Sequence, residues 1–227
     1  MKSFKFILTV FCIANLFFAA CKKDNYEAPS SKLTGRLLSD GQAVGLRTNR
    51  VQLELWQHGY DFFGKIRVFV NQDGSYSALL FDGDYKMTVL RGFGPWPDRT
   101  DSIDVKVRGN TIVDVPVSPY FVVSNSSFQK NGNTISGTVT IKKGTSTGSL
   151  ESVSLFINKS VLTDDVYKVD GVSIPAANIT NVNQPIPVSI NIPASLTNEE
   201  AVYVRAGVKA SGALDMAFGE PIKISLK

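Results

Sequence analysis

One histidine and two cysteines are all that the 227 residues hold of the side chains most often used as bases, thiol nucleophiles or soft metal ligands. A Ser-His-Asp arrangement would have to use His58, which sits in the segment Gln57-His58-Gly59 at the end of an apolar run. Zinc wants three or four His, Cys or carboxylate ligands, and one imidazole does not supply that set, so no metal and no cofactor is expected. Charge of one sign is also scarce: 24 Lys and Arg face 20 Asp and Glu, a formal +4, which argues against nucleic acid as a partner. Missing too is any stretch that sustains the i, i+3, i+4, i+7 spacing of an amphipathic helix. What remains is a chain rich in period-two alternation, and the fold class read from it is all-β.

The first twenty residues are of another kind. Lys2 and Lys5 precede an apolar run, Phe6 to Ala20, that is interrupted by Asn15 and ends in two alanines. That is the layout of a secretory signal, and the run is shorter than the ~20 apolar residues of a membrane span. The order Phe18-Ala19-Ala20-Cys21 resembles a bacterial lipobox, in which small residues precede the cysteine that is acylated and becomes the mature N-terminus. Phe18 departs from the leucine usual there, and ordinary cleavage near Ala20 that leaves Cys21 as a free thiol is the alternative. Removing 1–20 takes Cys12, Lys2 and Lys5 with it, so the charge falls to +2 and no second thiol is left for a disulfide. Lys22-Lys23-Asp24 then resembles the lysine-plus-acid tags that send some lipoproteins to the outer face of the outer membrane. The expected order is a signal peptide over 1–20, a lipidated tether over 21–31 and two domains, 32–118 and 119–227.

In the first domain Val51-Gln-Leu-Glu-Leu55 alternates, and Lys65 to Val70 places Ile66, Val68 and Val70 inward. Asn71-Gln-Asp-Gly74 reads as a tight turn with Ser75 to Phe81 as the return strand, and Asp82-Gly83 as a second turn before Tyr85, Met87 and Val89. Ser102 to Val107 is expected to pair across Arg108-Gly-Asn110 with Ile112 to Val117. Beyond Ser118-Pro119 the alternation resumes in runs starting at Tyr120, Thr134, Ser152, Pro187, Ala201 and Pro221. Residues 129–133 read as a loop and 163–183 as a long decorated one. Strands at this spacing, with Gly, Asn and Asp turns, predict two tandem β-sandwiches.

The Leu33-Thr-Gly-Arg entry, the Asn71-Gln-Asp-Gly-Ser-Tyr hairpin, the Phe81-Asp-Gly-Asp-Tyr-Lys turn and the Asp114-Val-Pro-Val end resemble the carboxypeptidase-regulatory or transthyretin-like module. The second domain reads as immunoglobulin-like without its disulfide. With Cys21 and Asp24-Asn-Tyr-Glu-Ala-Pro29 included, the whole chain resembles a family of outer-membrane lipoproteins associated with starch-utilisation-type (Sus) polysaccharide uptake. That resemblance implies a non-catalytic accessory protein, anchored through Cys21 at the cell surface of a Gram-negative bacterium or on its periplasmic face, beside a membrane transporter.

Aromatic residues grouped outside the alternating runs are the lead for a ligand site. Trp56-Gln-His-Gly-Tyr60-Asp61-Phe62-Phe63 and Arg91-Gly-Phe93-Gly-Pro-Trp96-Pro97 each set rings beside Gly or Pro. A flat ring stacks on the apolar face of a sugar while neighbouring polar groups take its hydroxyls. If the segments meet, Trp56, Tyr60, Phe62, Phe93 and Trp96 form a glycan platform with Arg91 and Asp61 as polar contacts, and Tyr60 and Trp96 are the rings expected to be exposed. The competing reading buries these rings at the end of the sandwich or between the domains. A glycosidase needs two carboxylates, and Asp98, Asp101 and Asp104 cluster, but the structural reading is the stronger: Asp104 alternates outward with Ile103 and Val105, and Asp98 pairs with Arg99 as loop solvation. Asp82-Gly-Asp84 and Asn71 to Gly74 superficially resemble calcium loops but lack the oxygen set. Two functions follow, a glycan-binding accessory protein or a spacer that docks on a transporter and binds protein.

Overall fold

The computed structural model describes residues 27–59 and 64–227, so Cys21, Tyr60, Asp61 and Phe62 lie outside the described residues. The first domain is built from β1 (Ser31–Ser39), β2 (Gln42–Ala43), β3 (Gln52–Trp56), β4 (Lys65–Phe69), β5 (Ser75–Leu80), β6 (Gly83–Val89), β7 (Ile103–Val107), β8 (Thr111–Ile112) and β9 (Val115–Pro116). One sheet runs β2-β1-β5 with β8 and β9 also on β1, and the facing sheet runs β4-β3-β6-β7. Leu33 and Leu37 of β1 and Leu53 and Leu55 of β3 meet in the buried core between the sheets, as strict alternation on two facing strands requires.

Three expectations about this domain need correcting. The turn Asn71 to Gly74 forms, with the Gly74 N–H donating to the Asn71 carbonyl (3.0 Å) and φ of +80° at Gly74, but it carries the chain from one sheet to the other. β5 therefore pairs with β1, not with β4. Residues 102–107 and 112–117 do not form a hairpin: β7 pairs with β6, while β8 and β9 run parallel to β1. Ile66 is on the inward parity but is 41% exposed, because β4 is an edge strand that the facing sheet does not cover there.

The second domain comprises β10 (Phe121–Asn131), β11 (Thr134–Lys143), β12 (Leu150–Asn158), β13 (Asp170–Pro175), β14 (Ile186–Asn191), β15 (Ala201–Ala210), β16 (Ala217–Phe218) and β17 (Ile222–Ser225). Its sheets are β10-β11-β14 and β13-β12-β15-β16, with β17 on β15. The segment read as a loop at 129–133 is mostly strand: Asn131 pairs with Thr134, leaving a two-residue turn in which Gly132 has φ of +59°. Within 163–183, Asp170–Pro175 is a strand paired with β12 and Ala176–Asn178 a single 3-10 turn. The fold is thus all-β in two sandwiches, and the buried core is continuous from one domain to the other. Among the described residues no helix is long and apolar enough to cross a membrane.

Candidate functional site

Alternation in β3 puts Gln52, Glu54 and Trp56 on the outer face of the sheet, opposite in sense to Leu53 and Leu55. Cross-strand register then sets Lys65 of β4 and Lys86 of β6 beside Trp56, and Arg67 and Thr88 beside Glu54. Lys65 Nζ donates to Glu54 Oε1 at 2.5 Å and stands 5.8 Å from the centre of the Trp56 ring. Where β6 ends, the chain lifts away from the sheet and leaves a depression of about 530 Å³ lined by Glu54, Trp56, Thr88, Leu90, Arg91 and Arg99 among others. Arg99 is spent structurally: it forms a two-pronged pair with Asp101 and also donates to the Pro116 carbonyl. Arg91 is exposed and has no hydrogen bond or ion pair among the described residues. The structure therefore brings Trp56 and Arg91 to one site, with a half-covered ring, a buried carboxylate and a cation open to a ligand.

Phe93 and Trp96 face the other way. Glycines at 92 and 94, with φ of +77° and +96°, fold residues 91–97 back onto the second domain. The Trp96 indole lies on Gly94, where a Cβ would stand 2.4 Å from the ring. Trp96 is only 7% exposed, which corrects the expectation that it is displayed; Gly and Pro here shape a loop that closes over the ring. Phe93 stacks under the Arg50 guanidinium at 4.4 Å. Arg50 Nε in turn donates to Asp215 Oδ1 (3.0 Å), Arg47 Nη2 donates to the same oxygen (2.6 Å), and the Gly94 N–H donates to Asp215 Oδ2 (2.8 Å). Asp215 belongs to the second domain, so this loop is a fastening between domains.

A second fastening is Arg205, fully buried in β15. Its Nε donates to the Gly219 carbonyl (2.7 Å), Nη2 to the Gln72 carbonyl (2.8 Å), and Nη1 to the carbonyls of Leu46 (3.1 Å) and Thr163 (3.3 Å). The guanidinium also lies 4.7 Å from the Phe218 ring centre. Burial pulls its pKa down to about 10, opposed by Asp164, Glu220 and Asp73, which leaves it a cation at neutral pH. Beside it Gly45 bridges to Phe218, and a Cβ on Gly45 would meet the Phe218 carbonyl oxygen at 2.2 Å.

Two family models cover nearly all of the described chain: "Protein of unknown function (DUF3823) N-terminal domain" matches residues 31–118, and "Domain of unknown function (DUF3823_C)" matches 121–223. The chain belongs to the DUF3823 family. It is similar to a solved DUF3823 protein of Bacteroides ovatus, with 39% identity, a TM-score of 0.80, and coverage of 88% of this chain and 100% of that one. A Parabacteroides merdae member is 34% identical with a TM-score of 0.79, over 88% of this chain and 100% of that chain. A Bacteroides uniformis structure described as a "putative carbohydrate binding protein" shares the fold at 21% identity and a TM-score of 0.69, over 87% of this chain and 100% of its own. No curated protein matches.

In this DUF3823 chain each acid of the 98–104 cluster has a structural partner. Asp98 accepts the Gly92 N–H (2.7 Å), Asp101 takes Arg99, and Asp104 takes Lys86 (2.6 Å). Hydrogen bonds from Arg99 and Lys86 hold the carboxyls of Asp101 and Asp104 below the usual range, the opposite direction from that of a glycosidase acid. Asp82 accepts Ser31 Oγ (2.5 Å) and the Gly109 N–H (2.9 Å), and Asp73 accepts the Ser75 N–H (3.0 Å), so both calcium-like loops are used as turns. Among the described residues no group of three His, Cys, Asp or Glu could hold a metal. His58 is exposed after β3. Sequence reasoning passed over Glu54, Thr88, Arg47, Arg205 and Asp215; for Glu54 and Thr88 the signal was present, since both share the outward parity of Trp56.

Proposed function

We propose that this protein is a non-enzymatic lipoprotein, anchored through Cys21 to the outer membrane, that binds a polysaccharide or oligosaccharide for capture and uptake. The observation that carries the reading is the depression beside Trp56. A half-covered indole there sits with Glu54, Thr88 and Arg91, which is the pairing of apolar plate and polar rim that a sugar ring needs. The description of the Bacteroides uniformis relative as a "putative carbohydrate binding protein" supports the same class. Calorimetry and affinity electrophoresis against a glycan panel test it. Binding that falls at least about tenfold in Trp56→Ala supports the site, since a stacked aromatic contributes on the order of 1.5 kcal/mol or more. An unbound panel, or binding indifferent to that change, sinks it.

A second reading, a module that docks on a transporter, is favoured by residues 159–169. Val161, Leu162, Val166, Tyr167 and Val169 are all exposed there, yet the loop is fixed: Asp164 Oδ1 accepts the N–H groups of Val166 (2.9 Å) and Tyr167 (2.8 Å). Rigid exposed apolar surface of this kind marks contact with another protein. Tyr167→Ser abolishing recovery of a membrane partner without added glycan is the outcome that reading requires.

A further inference from the structure

A second group of exposed apolar side chains lies on the first domain, on the sheet that contains β1. Leu79 is 61% exposed, Phe81 47% and Ile112 78%. Register explains why they share a face. β1 pairs with β5 on one side, setting Lys32 opposite Leu79 and Thr34 opposite Ser77, and with β8 on the other, setting Thr34 opposite Ile112. Lys32, Leu79 and Ile112 thus all project from the outer surface of this sheet, since the alternate positions Leu33 and Leu80 are buried. Phe81 follows Leu79 at the same parity. Two strand spacings and a two-residue offset along β1 put Leu79 and Ile112 roughly 12 Å apart.

Two cations frame these residues. Lys32 is exposed between the flanking strands, and Arg108 stands in the turn before β8 with its Nη2 donating to Asp84 at 3.2 Å. The nearby Asp82 carboxylate is exposed, with Oδ1 accepting hydrogen bonds from Ser31 Oγ and the Gly109 N–H. Large apolar side chains rimmed by Lys and Arg are what an interfacial membrane contact requires. The position of the patch decides between a membrane and another occupant. Cys21 precedes Ser31 by ten positions, and ten residues reach at most about 35 Å, no further than the length of one small domain. The patch begins at Lys32, the second residue of β1, so the anchor cannot be inserted far from it.

We infer that the outer face formed by Leu79, Phe81 and Ile112, with Lys32 and Arg108 at its edge, rests on the bilayer that holds the acylated Cys21 and fixes the orientation of the first domain. This rests on the lipid-anchor part of the proposed function. The face lies flat against headgroups and leaves the second domain and residues 159–169 away from the membrane.

The test uses the full acylated chain reconstituted into vesicles of phosphatidylethanolamine and phosphatidylglycerol, with and without brominated acyl chains. Ile112→Trp and Val166→Trp each add one indole at an exposed position, and the parent chain gives the background from Trp56 and Trp96. The expected result is loss of most of the added emission at 112 and none at 166. Mass spectrometry of the N-terminal peptide and flotation report the anchor separately. Acylated, floating protein with an unquenched Trp at 112 overturns this inference and leaves the anchor standing, whereas an unacylated Cys21 in protein that does not float removes the anchor and this inference with it. If Ile112→Trp in a Cys21→Ala chain without vesicles shifts its emission as protein concentration rises, the face covers a second copy instead, and the membrane contact is overturned.

Discussion

Replacing Arg205 by alanine removes a guanidinium whose partners are almost all backbone carbonyls, and that fact sets the size of the effect. A buried ion pair can often be exchanged for apolar side chains at little cost, because both charged partners leave together. Here the acceptors are the carbonyls of Gly219, Gln72, Leu46 and Thr163; substitution cannot remove them, and of the four only Gln72 keeps a second donor among the described residues, the Leu46 N–H (2.9 Å). Each buried acceptor left without a donor costs about 1–3 kcal/mol, moderated where water enters the space left behind. Three such acceptors, with water reaching some of them, land at about 3–5 kcal/mol. For a chain of this size that lowers Tm by about 6–20 °C. Differential scanning calorimetry is the assay, with Arg205→Met beside Arg205→Ala. Methionine fills most of the volume without donating, so both variants should lose stability by similar amounts. Because the carbonyls of Leu46 and Gln72 come from the first domain, both should also separate one unfolding transition into two. Arg205→Met melting within about 2 °C of the parent, as a single transition, would refute the reasoning: packing and not carbonyl satisfaction would then be the contribution of Arg205.

Trp96→Ala should cost about 3–5 kcal/mol in urea unfolding while leaving glycan affinity unchanged, the reverse of Trp56→Ala. Gly45→Ala places a methyl against the Phe218 carbonyl; limited proteolysis should cut between the domains several-fold faster, and an unchanged rate would count against the bridge. On the acid side, hydrogen bonds hold the carboxyls of Asp82, Asp101 and Asp104 below their ordinary values, from Ser31, Arg99 and Lys86 respectively. A carboxyl depressed on folding contributes stability that is full above its unfolded pKa of about 3.9 and lost as pH falls through the folded value. Tm should therefore drop steeply below about pH 4, and Asp82→Asn should flatten that slope in a pH series of thermal melts.

Alternation made most of the fold readable because it reports directly which side of a strand faces a core. Val51 to Leu55 and Tyr85 to Val89 gave correct inward faces for that reason. It does not report which strand lies alongside. The parallel placement of β8 and β9 on β1 has no signature in Ile112 to Val117, whose alternation suits a hairpin equally well. Nor does alternation report what covers the second face. In β15 the residues Val202, Val204, Ala206 and Val208 are inward and Arg205 falls on the outward parity, where a cation reads as a solvated residue. The first domain lies over that position and buries it. The same gap divided the ring-rich segments: Trp56 and Arg91 meet on an open sheet face, while Phe93 and Trp96 are claimed by a neighbouring domain that no local pattern announces.

β1 begins where the tether ends and is bonded along its length by β5 on one side and by β8 and β9 on the other. A pull on the residues that precede β1 acts along this strand, at right angles to its ladder hydrogen bonds. All of them share such a load at once, as in a joint placed in shear, whereas a hairpin pulled open at its mouth gives way one bond at a time. Past β1 the chain turns through β2 to Gly45, which bridges to Phe218. A load applied to the second sandwich would thus reach β1 through that bridge and the short β2 turn, in a single continuous mechanical line.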